Sequence, residues 1–135
     1  MPQYWLLKTE PSTYAIADLE REGRTTWDGV KNALALIHLR AMRPEDGLLL
    51  YHSGKDRAVV GRARVDSMPR TEGTSTVVDV RFEERLPVPV PLGAMKGSPA
   101  LAGLPLMRNT RLSVMPITPE EWEAILRLGG QTGRR

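Results

Sequence analysis

The stretch YWLLKTEP, residues 4–11, sets two opposite charges at the end of an apolar run and then adds a proline. The apolar run is typical of a buried β-strand, and the proline cannot donate a hydrogen bond within a sheet. We therefore predict a strand over residues 3–8. Because side chains alternate along a strand, Lys8 and Glu10 are expected on one side and Thr9 on the other.

Two interpretations of these polar side chains are open. Lys8 and Glu10 could form an ion pair at the edge of the sheet, worth about 0–1 kcal/mol if exposed. Alternatively, both stand at the rim of a cleft at the strand end, and the Thr9 hydroxyl is offered to that cleft. The stretch itself does not decide between the two.

Helical and extended patterns alternate along the rest of the chain. Apolar residues recur at helical spacing after Asp28, which is a candidate N-cap. Residues 86–109 are rich in proline and glycine but also apolar, so we expect them to pack over the sheet. The predicted helices lie in residues 14–23, 29–43 and 119–128, and the predicted strands in residues 3–8, 46–53, 57–68, 74–86 and 111–117.

The last helix has the clearest local signal. Thr118 is a typical N-cap, Pro119 suits the first helical position, and Glu121 completes a capping box. About five strands and three helices indicate an α+β fold, most simply a small curved sheet or barrel with helices packed outside. We expect one domain over residues 1–130 and a frayed basic tail at residues 131–135.

Composition narrows the range of functions. The 135 residues fit one compact domain, and no apolar run approaches the roughly 20 residues of a membrane helix. Cysteine is absent, which excludes disulfides and thiolate metal sites and favours a cytoplasmic location. The two histidines, His38 and His52, lack the spacing of metal ligands. We therefore expect no cofactor, no metal and no membrane partner.

Charge gives a weaker indication. The formal net charge is +3, and arginine supplies 15 of the 19 basic residues. The guanidinium group binds phosphate oxygens in a forked geometry and stacks on base planes. A mildly basic, arginine-rich domain of this kind favours an anionic partner, including nucleic acid.

Three further residues have both a structural and a functional interpretation. Trp27 lies among polar residues, either as a lid on the core or as one wall of a slot for a flat heterocycle. Asn32 could tie strand ends together or could present its amide to a ligand. His52, in the run YHS at a predicted strand end, is more often structural than functional.

Taken in order, YWLLKTEPSTYAIADL, TTWDGVKN, MRPEDGLLLYHS, VVGRARV, VDVRF and RLSVMPITPEEWEAIL resemble the EVE domain family. The resemblance spans nearly the whole chain, and its motifs are specific as a set. It implies a PUA-like fold, a small mixed β-barrel of about five strands with flanking helices, related to YTH and ASCH domains. It also implies binding to DNA or RNA, with a pocket for a modified, flipped-out base.

The resemblance places candidate residues on this chain. Trp27 corresponds to the aromatic wall that YTH domains use, and arginines would contact the phosphate backbone. The residues that the resemblance implies for the base pocket are Lys8, Thr9, Glu10, Trp27, Asp28, Asn32, His52 and Ser53, and those expected at phosphates are Arg24, Arg40, Arg43, Arg62 and Arg64. The chain departs from the family pattern at Ala33, Ala35 and Leu36 and in the short loop 67–76, which lacks aromatic residues.

The expected function is therefore a non-enzymatic reader of a nucleic-acid base. Two alternatives remain. One is a small amidohydrolase that resembles ASCH proteins and acts on modified nucleosides, with Lys8, Thr9 and a carboxylate such as Glu10 as its reactive groups. The other is a protein-interaction module that has kept the fold and lost the pocket.

Overall fold

The computed structural model describes residues 2–109 and 111–131, which form a mixed sheet with helices packed against it. The strands are β1 (Tyr4–Thr9), β2 (Arg24–Trp27), β3 (Gly47–His52), β4 (Ala58–Val65), β5 (Arg70–Glu72), β6 (Ser75–Pro91) and β7 (Val114–Ile117). The helices are α1 (Ile16–Glu22), α2 (Ala33–Ala41), α3 (Leu92–Lys96) and α4 (Pro119–Leu128), with short 3-10 turns at Pro99–Leu101 and Pro105–Met107.

The strands run in the order β2-β6-β4-β3-β1-β7, with β5 paired to β6. Strand β1 is parallel to β3, and the remaining pairs are antiparallel. All six residues of β3 are buried because it lies between two other strands and is covered on both faces. The predicted α+β class is confirmed, with seven strands in the described residues in place of the expected five or so.

A buried carboxylate joins the beginnings of the two parallel strands. Asp46 is 3 % exposed, and its oxygens accept hydrogen bonds of 2.9 Å from the backbone N–H groups of Gln3 and Arg43 and from Trp5 Nε1. Three donors to one carboxylate satisfy a polar group that would otherwise be costly to bury. This cluster fixes the start of β1 against the start of β3.

Two local predictions around Trp27 were wrong. Residues 24–28 were predicted to be neither helix nor strand, but Arg24–Trp27 form β2 because they pair antiparallel with β6, which places Trp27 opposite Val78. The cap of α2 is Asn32, whose Oδ1 accepts a 3.0 Å hydrogen bond from Ala35 N–H, and not Asp28. The reason is Gly29, whose φ of +75° turns the chain after Asp28 and delays the helix.

The proline-rich segment also differs from its prediction. Strand β6 continues to Pro91 instead of ending near Leu86, and its three prolines occupy alternate positions, 87, 89 and 91. Alternate residues direct their backbone N–H groups to the same side, so the missing donors all lie along one side of the strand. Beyond the strand, Leu101 and Leu104 are fully buried, so this part does pack against the core as expected.

The C-terminal helix forms as predicted. Thr118 Oγ1 accepts a hydrogen bond of 3.1 Å from Glu121 N–H, and Glu121 Oε1 accepts one of 2.8 Å from Thr118 N–H. Within the expected tail, Gln131 N–H donates to the carbonyl of Leu126 at 2.9 Å. Residues 132–135 of that tail lie outside the described residues.

Candidate functional site

A cavity of about 500 Å³ opens where β1 and β2 end; we call it the main cavity. One wall is the end of β1, residues 8–10, and the opposite wall is Trp27 with the turn that follows it. Its volume lies in the range of small-molecule binding sites. Of the eight residues predicted for the pocket, the lining contains Lys8, Thr9, Glu10, Trp27 and Asp28.

Trp27 belongs both to the core and to this cavity. Its side chain is 8 % exposed and packs in the apolar core, so the interpretation as a core lid is correct for most of the ring. Trp27 also lines the main cavity, as a slot wall would. The indole is therefore held rigidly and offers a fixed aromatic surface at the cavity wall.

Tyr14, which was not among the predicted site residues, holds the indole in place. Its ring meets Trp27 edge-on, with centroids 5.9 Å apart and planes at 87°, which is a favourable aromatic geometry. The Tyr14 hydroxyl donates to Glu22 Oε1 at 2.7 Å. Burial, and then this hydrogen bond, raise the pKa of Tyr14 to about 12. The hydroxyl consequently stays protonated and keeps the ring oriented.

The polar groups of the main cavity come from the end of β1. Burial lowers the pKa of Lys8 from its ordinary value. The Thr9 hydroxyl donates to the carbonyl of Tyr14 at 2.8 Å, which commits it to the turn. The carboxylate of Glu10 is exposed and packs against Gly54, whose φ is +73°. The lining of the cavity therefore combines an ammonium group, the carboxylates of Glu10 and Asp28, and Trp27.

Three of the predicted pocket residues lie elsewhere. Asn32 caps α2 with its side chain. His52 is 5 % exposed: its Nε2 accepts a hydrogen bond of 3.0 Å from Ile16 N–H, and its Nδ1 lies 3.1 Å from Asp56 Oδ2. Asn32 therefore stabilises the start of α2, and His52 connects β3 to the start of α1. Ser53 lines a second cavity of about 290 Å³, which also contacts Lys8.

The five arginines predicted at phosphates all have partners within the protein. Arg40 donates to Thr76 Oγ1, and Arg43 donates to backbone carbonyls. The other three pair with carboxylates, which offsets their attraction for an external anion. These ion pairs are Arg24 with Asp66 and Asp79, Arg62 with Glu83 and Glu84, and Arg64 with Glu83.

Two features are absent from residues 2–109 and 111–131. No cluster of three or more histidine or carboxylate side chains could hold a metal ion. None of the helices there is long and apolar enough to cross a membrane.

Comparison with solved structures defines the class of this domain. An ASCH protein from Zymomonas mobilis shares the fold, with a TM-score of 0.62 at 12% identity over 93% of this chain and 95% of that one. A Rhodopseudomonas palustris protein solved by NMR matches with a TM-score of 0.92 and 35% identity over 98% of this chain and 96% of that one. The fold is that of a PUA-like domain.

The family follows from the sequence. A model of the EVE domain matches residues 3–128, so the chain belongs to the EVE domain family, as the motifs indicated. Mouse thymocyte nuclear protein 1 is 32% identical over 95% of this chain and 74% of its own length. Human THYN1, solved in complex with DNA that contains 5-methylcytosine, matches with a TM-score of 0.88 and 26% identity over 97% of this chain and 99% of that one.

Proposed function

We propose that this domain is a non-enzymatic reader of nucleic acid, which receives one modified, flipped-out base in the main cavity against Trp27. The observation that carries the proposal is the cavity of about 500 Å³ adjoining this indole. The complex of human THYN1 with DNA containing 5-methylcytosine supports a methylated cytosine as the base.

The groups around the cavity suit the edge of cytosine. A carboxylate such as Glu10 or Asp28 can accept a hydrogen bond from the exocyclic amino group, and the Lys8 ammonium can donate to the ring carbonyl. Extruding a base costs roughly a few kcal/mol. Stacking of about 1–3 kcal/mol and one charge-assisted hydrogen bond of about 1.5–3 kcal/mol are together enough to offset it.

Substitution of Trp27 tests the proposal. Trp27→Leu removes the aromatic surface, so affinity for a single-stranded probe containing 5-methylcytosine should fall by about 5- to 150-fold, the equivalent of one lost stack. Fluorescence anisotropy with DNA and RNA versions of the probe measures the change. Circular dichroism confirms that each variant is folded.

The matched control is Trp122→Leu. Trp122 is 6 % exposed and stacks on Tyr4 with centroids 4.4 Å apart, and it does not line the main cavity. It should lose stability with little change in affinity. The milder Trp27→Phe, which keeps a stacking ring, should bind more tightly than Trp27→Leu. If the folded Trp27 variants bind every probe as the parent does, the base does not stack on this residue.

One observation favours the amidohydrolase alternative. Lys8, Thr9 and Glu10 line the same cavity, and burial lowers the pKa of Lys8 in the direction that a general base requires. Against it, the Thr9 hydroxyl is hydrogen-bonded to Tyr14, and the likeness to the ASCH protein extends to the fold alone. Release of acetate from N4-acetylcytidine, abolished in Lys8→Ala, would establish the hydrolase.

The interaction-module alternative makes the opposite prediction about nucleic acid. It requires that no probe, modified or unmodified, binds at low salt. Binding that weakens steeply as salt rises would exclude it.

A further inference from the structure

The second cavity lies directly beside the main one. It is formed between the β3–β4 turn and α3, and Lys8 lines both cavities. Its floor is apolar, made by Tyr51, Leu92, Leu106 and Met107, while its rim carries Arg57 and Lys96. A ligand that occupies the main cavity at Lys8 therefore has a neighbouring depression with cationic side chains on its edge.

The two rim cations differ from the arginines of the sheet. Arg57 and Lys96 are both exposed, and within the described part of the chain neither has a carboxylate at ion-pair distance. The positive charge of Arg57 reaches Tyr51, where it partly opposes the rise in pKa caused by burial. The positive charges of Arg57 and Lys96 therefore favour an anionic group in the second cavity.

The backbone holds Arg57 at the rim at an energetic cost. Its φ is +42°, in the left-handed region that non-glycine residues rarely adopt. The Arg57 carbonyl accepts a hydrogen bond of 2.8 Å from Leu92 N–H, which joins this strained residue to the start of α3. Strained residues of this kind cluster at ligand-binding sites, where the surrounding structure maintains the conformation.

We propose that the second cavity binds the phosphodiester group next to the base held in the main cavity. Arg57 and Lys96 contact the phosphate oxygens, the apolar floor receives the adjoining sugar, and Lys8 stands at the junction between base and backbone. This inference rests on the proposed function, since it takes the ligand of the main cavity to be a nucleotide within a strand. It assigns the phosphate contacts to residues other than the paired arginines of the sheet.

The test is the salt dependence of binding to a single-stranded DNA probe with one 5-methylcytosine. Each phosphate contact contributes about 0.7 to the slope of log K against log [salt] for a single strand, so Arg57→Gln/Lys96→Gln should reduce the slope by about 1.4. Between 50 and 200 mM salt the parent should then lose about sevenfold more affinity than the double variant. Affinity for the free nucleoside 5-methyldeoxycytidine, which has no phosphate, should not change.

A matched double variant controls for net charge. Arg21→Gln/Arg127→Gln removes two exposed cations that line neither cavity, Arg21 in an exposed ion pair with Asp18 at 2.9 Å and Arg127 without a carboxylate at ion-pair distance in the described residues. It should leave the slope within about 0.3 of the parent's, because distant charges are largely screened. An equal reduction in both double variants would overturn the inference, as would an unchanged slope in Arg57→Gln/Lys96→Gln.

The outcomes separate this inference from the proposed function. If the parent binds no nucleic acid, both fail. If the parent binds and Trp27→Leu weakens binding, but the double rim variant keeps the parent's slope, only the phosphate site fails. If the rim variant lowers the slope and Trp27→Leu binds as the parent does, the phosphate site stands and the stacking of the base on Trp27 fails.

Discussion

Gly54→Ala should weaken base binding by displacing Glu10, a residue of the main-cavity wall; Gly54 itself lines the second cavity and not the main one. Gly54 lies in the turn after β3 with φ of +73°, and a Cβ built there would be 2.7 Å from Glu10 Oε2 and 3.2 Å from Oε1. Real Cβ atoms do not approach other atoms so closely, so the carboxylate must move. Glu10 is exposed, and within the described part of the chain the hydrogen bonds to its carboxylate come from Ser12, whose N–H and Oγ donate to Oε1 at 3.5 and 3.3 Å. The carboxylate can therefore rotate away, and it then leaves the position from which it would accept the amino group of the base.

The magnitude has two parts. Alanine in the left-handed region costs about 1–2 kcal/mol of folding free energy. Displacement of the carboxylate adds little to that loss but removes a charge-assisted hydrogen bond to the base. Such a bond is worth about 1.5–3 kcal/mol, and an exposed carboxylate stands at the low end, so affinity should fall about tenfold.

Gly73→Ala separates these two effects. Gly73 has φ of +62°, and a Cβ there would meet no atom within 4 Å. Urea denaturation should show similar losses of stability in both variants, while calorimetric titration with the 5-methylcytosine probe should show weaker binding in Gly54→Ala alone. Equal affinities in the two variants would refute the role assigned to Glu10.

Two further predictions concern stability. Asp46→Ala leaves three N–H donors without a partner, each worth about 1–3 kcal/mol when left unpaired. Because the donors of Gln3 and Arg43 are only part-buried and stand near the low end, the free energy of unfolding in urea should fall by about 3–5 kcal/mol; a loss below about 1 kcal/mol would contradict this. The pKa values of Asp66 and Asp79 are held below their ordinary range, first by hydrogen bonds from Arg81 and Arg70 respectively. The stability they add is present above the unfolded pKa of about 3.9 and disappears as pH falls through the lower folded values. Unfolding free energy should therefore decline below about pH 4, less steeply in Arg81→Met, and identical acid profiles would argue against the pairing.

Features fixed by a few neighbouring residues could be read from the sequence. The capping box of α4 needs only Thr118, Pro119 and Glu121, so local pattern was sufficient. The cap of α2 was misplaced because Asp28 and Asn32 are both good caps, and the choice depends on the turn at Gly29. The backbone conformation at Gly29 therefore decides which of the two N-cap candidates begins the helix.

Features created by contacts between distant residues could not be read in this way. Strand β2 contains few apolar residues, and it is extended because β6 supplies its hydrogen bonds, 51 to 57 positions along the chain. The role of Tyr14, which lies in the turn between β1 and α1, likewise depends on the Trp27 ring at the end of β2. The second cavity is a stronger case, because Lys8, Arg57 and Lys96 meet only when three separate segments have folded together.

The parallel pairing of β1 with β3 has a consequence for how such domains diversify. Main-chain bonds hold the two strand ends in place, from Lys8 N–H to the carbonyl of Ser113 and from Ser53 N–H to that of Thr9, both at 2.9 Å. These main-chain hydrogen bonds can form whichever side chains occupy the same positions. Backbone atoms therefore hold the strand ends in place, while side-chain atoms determine what is bound there. Mutation can thus change what such a domain recognises while its architecture persists.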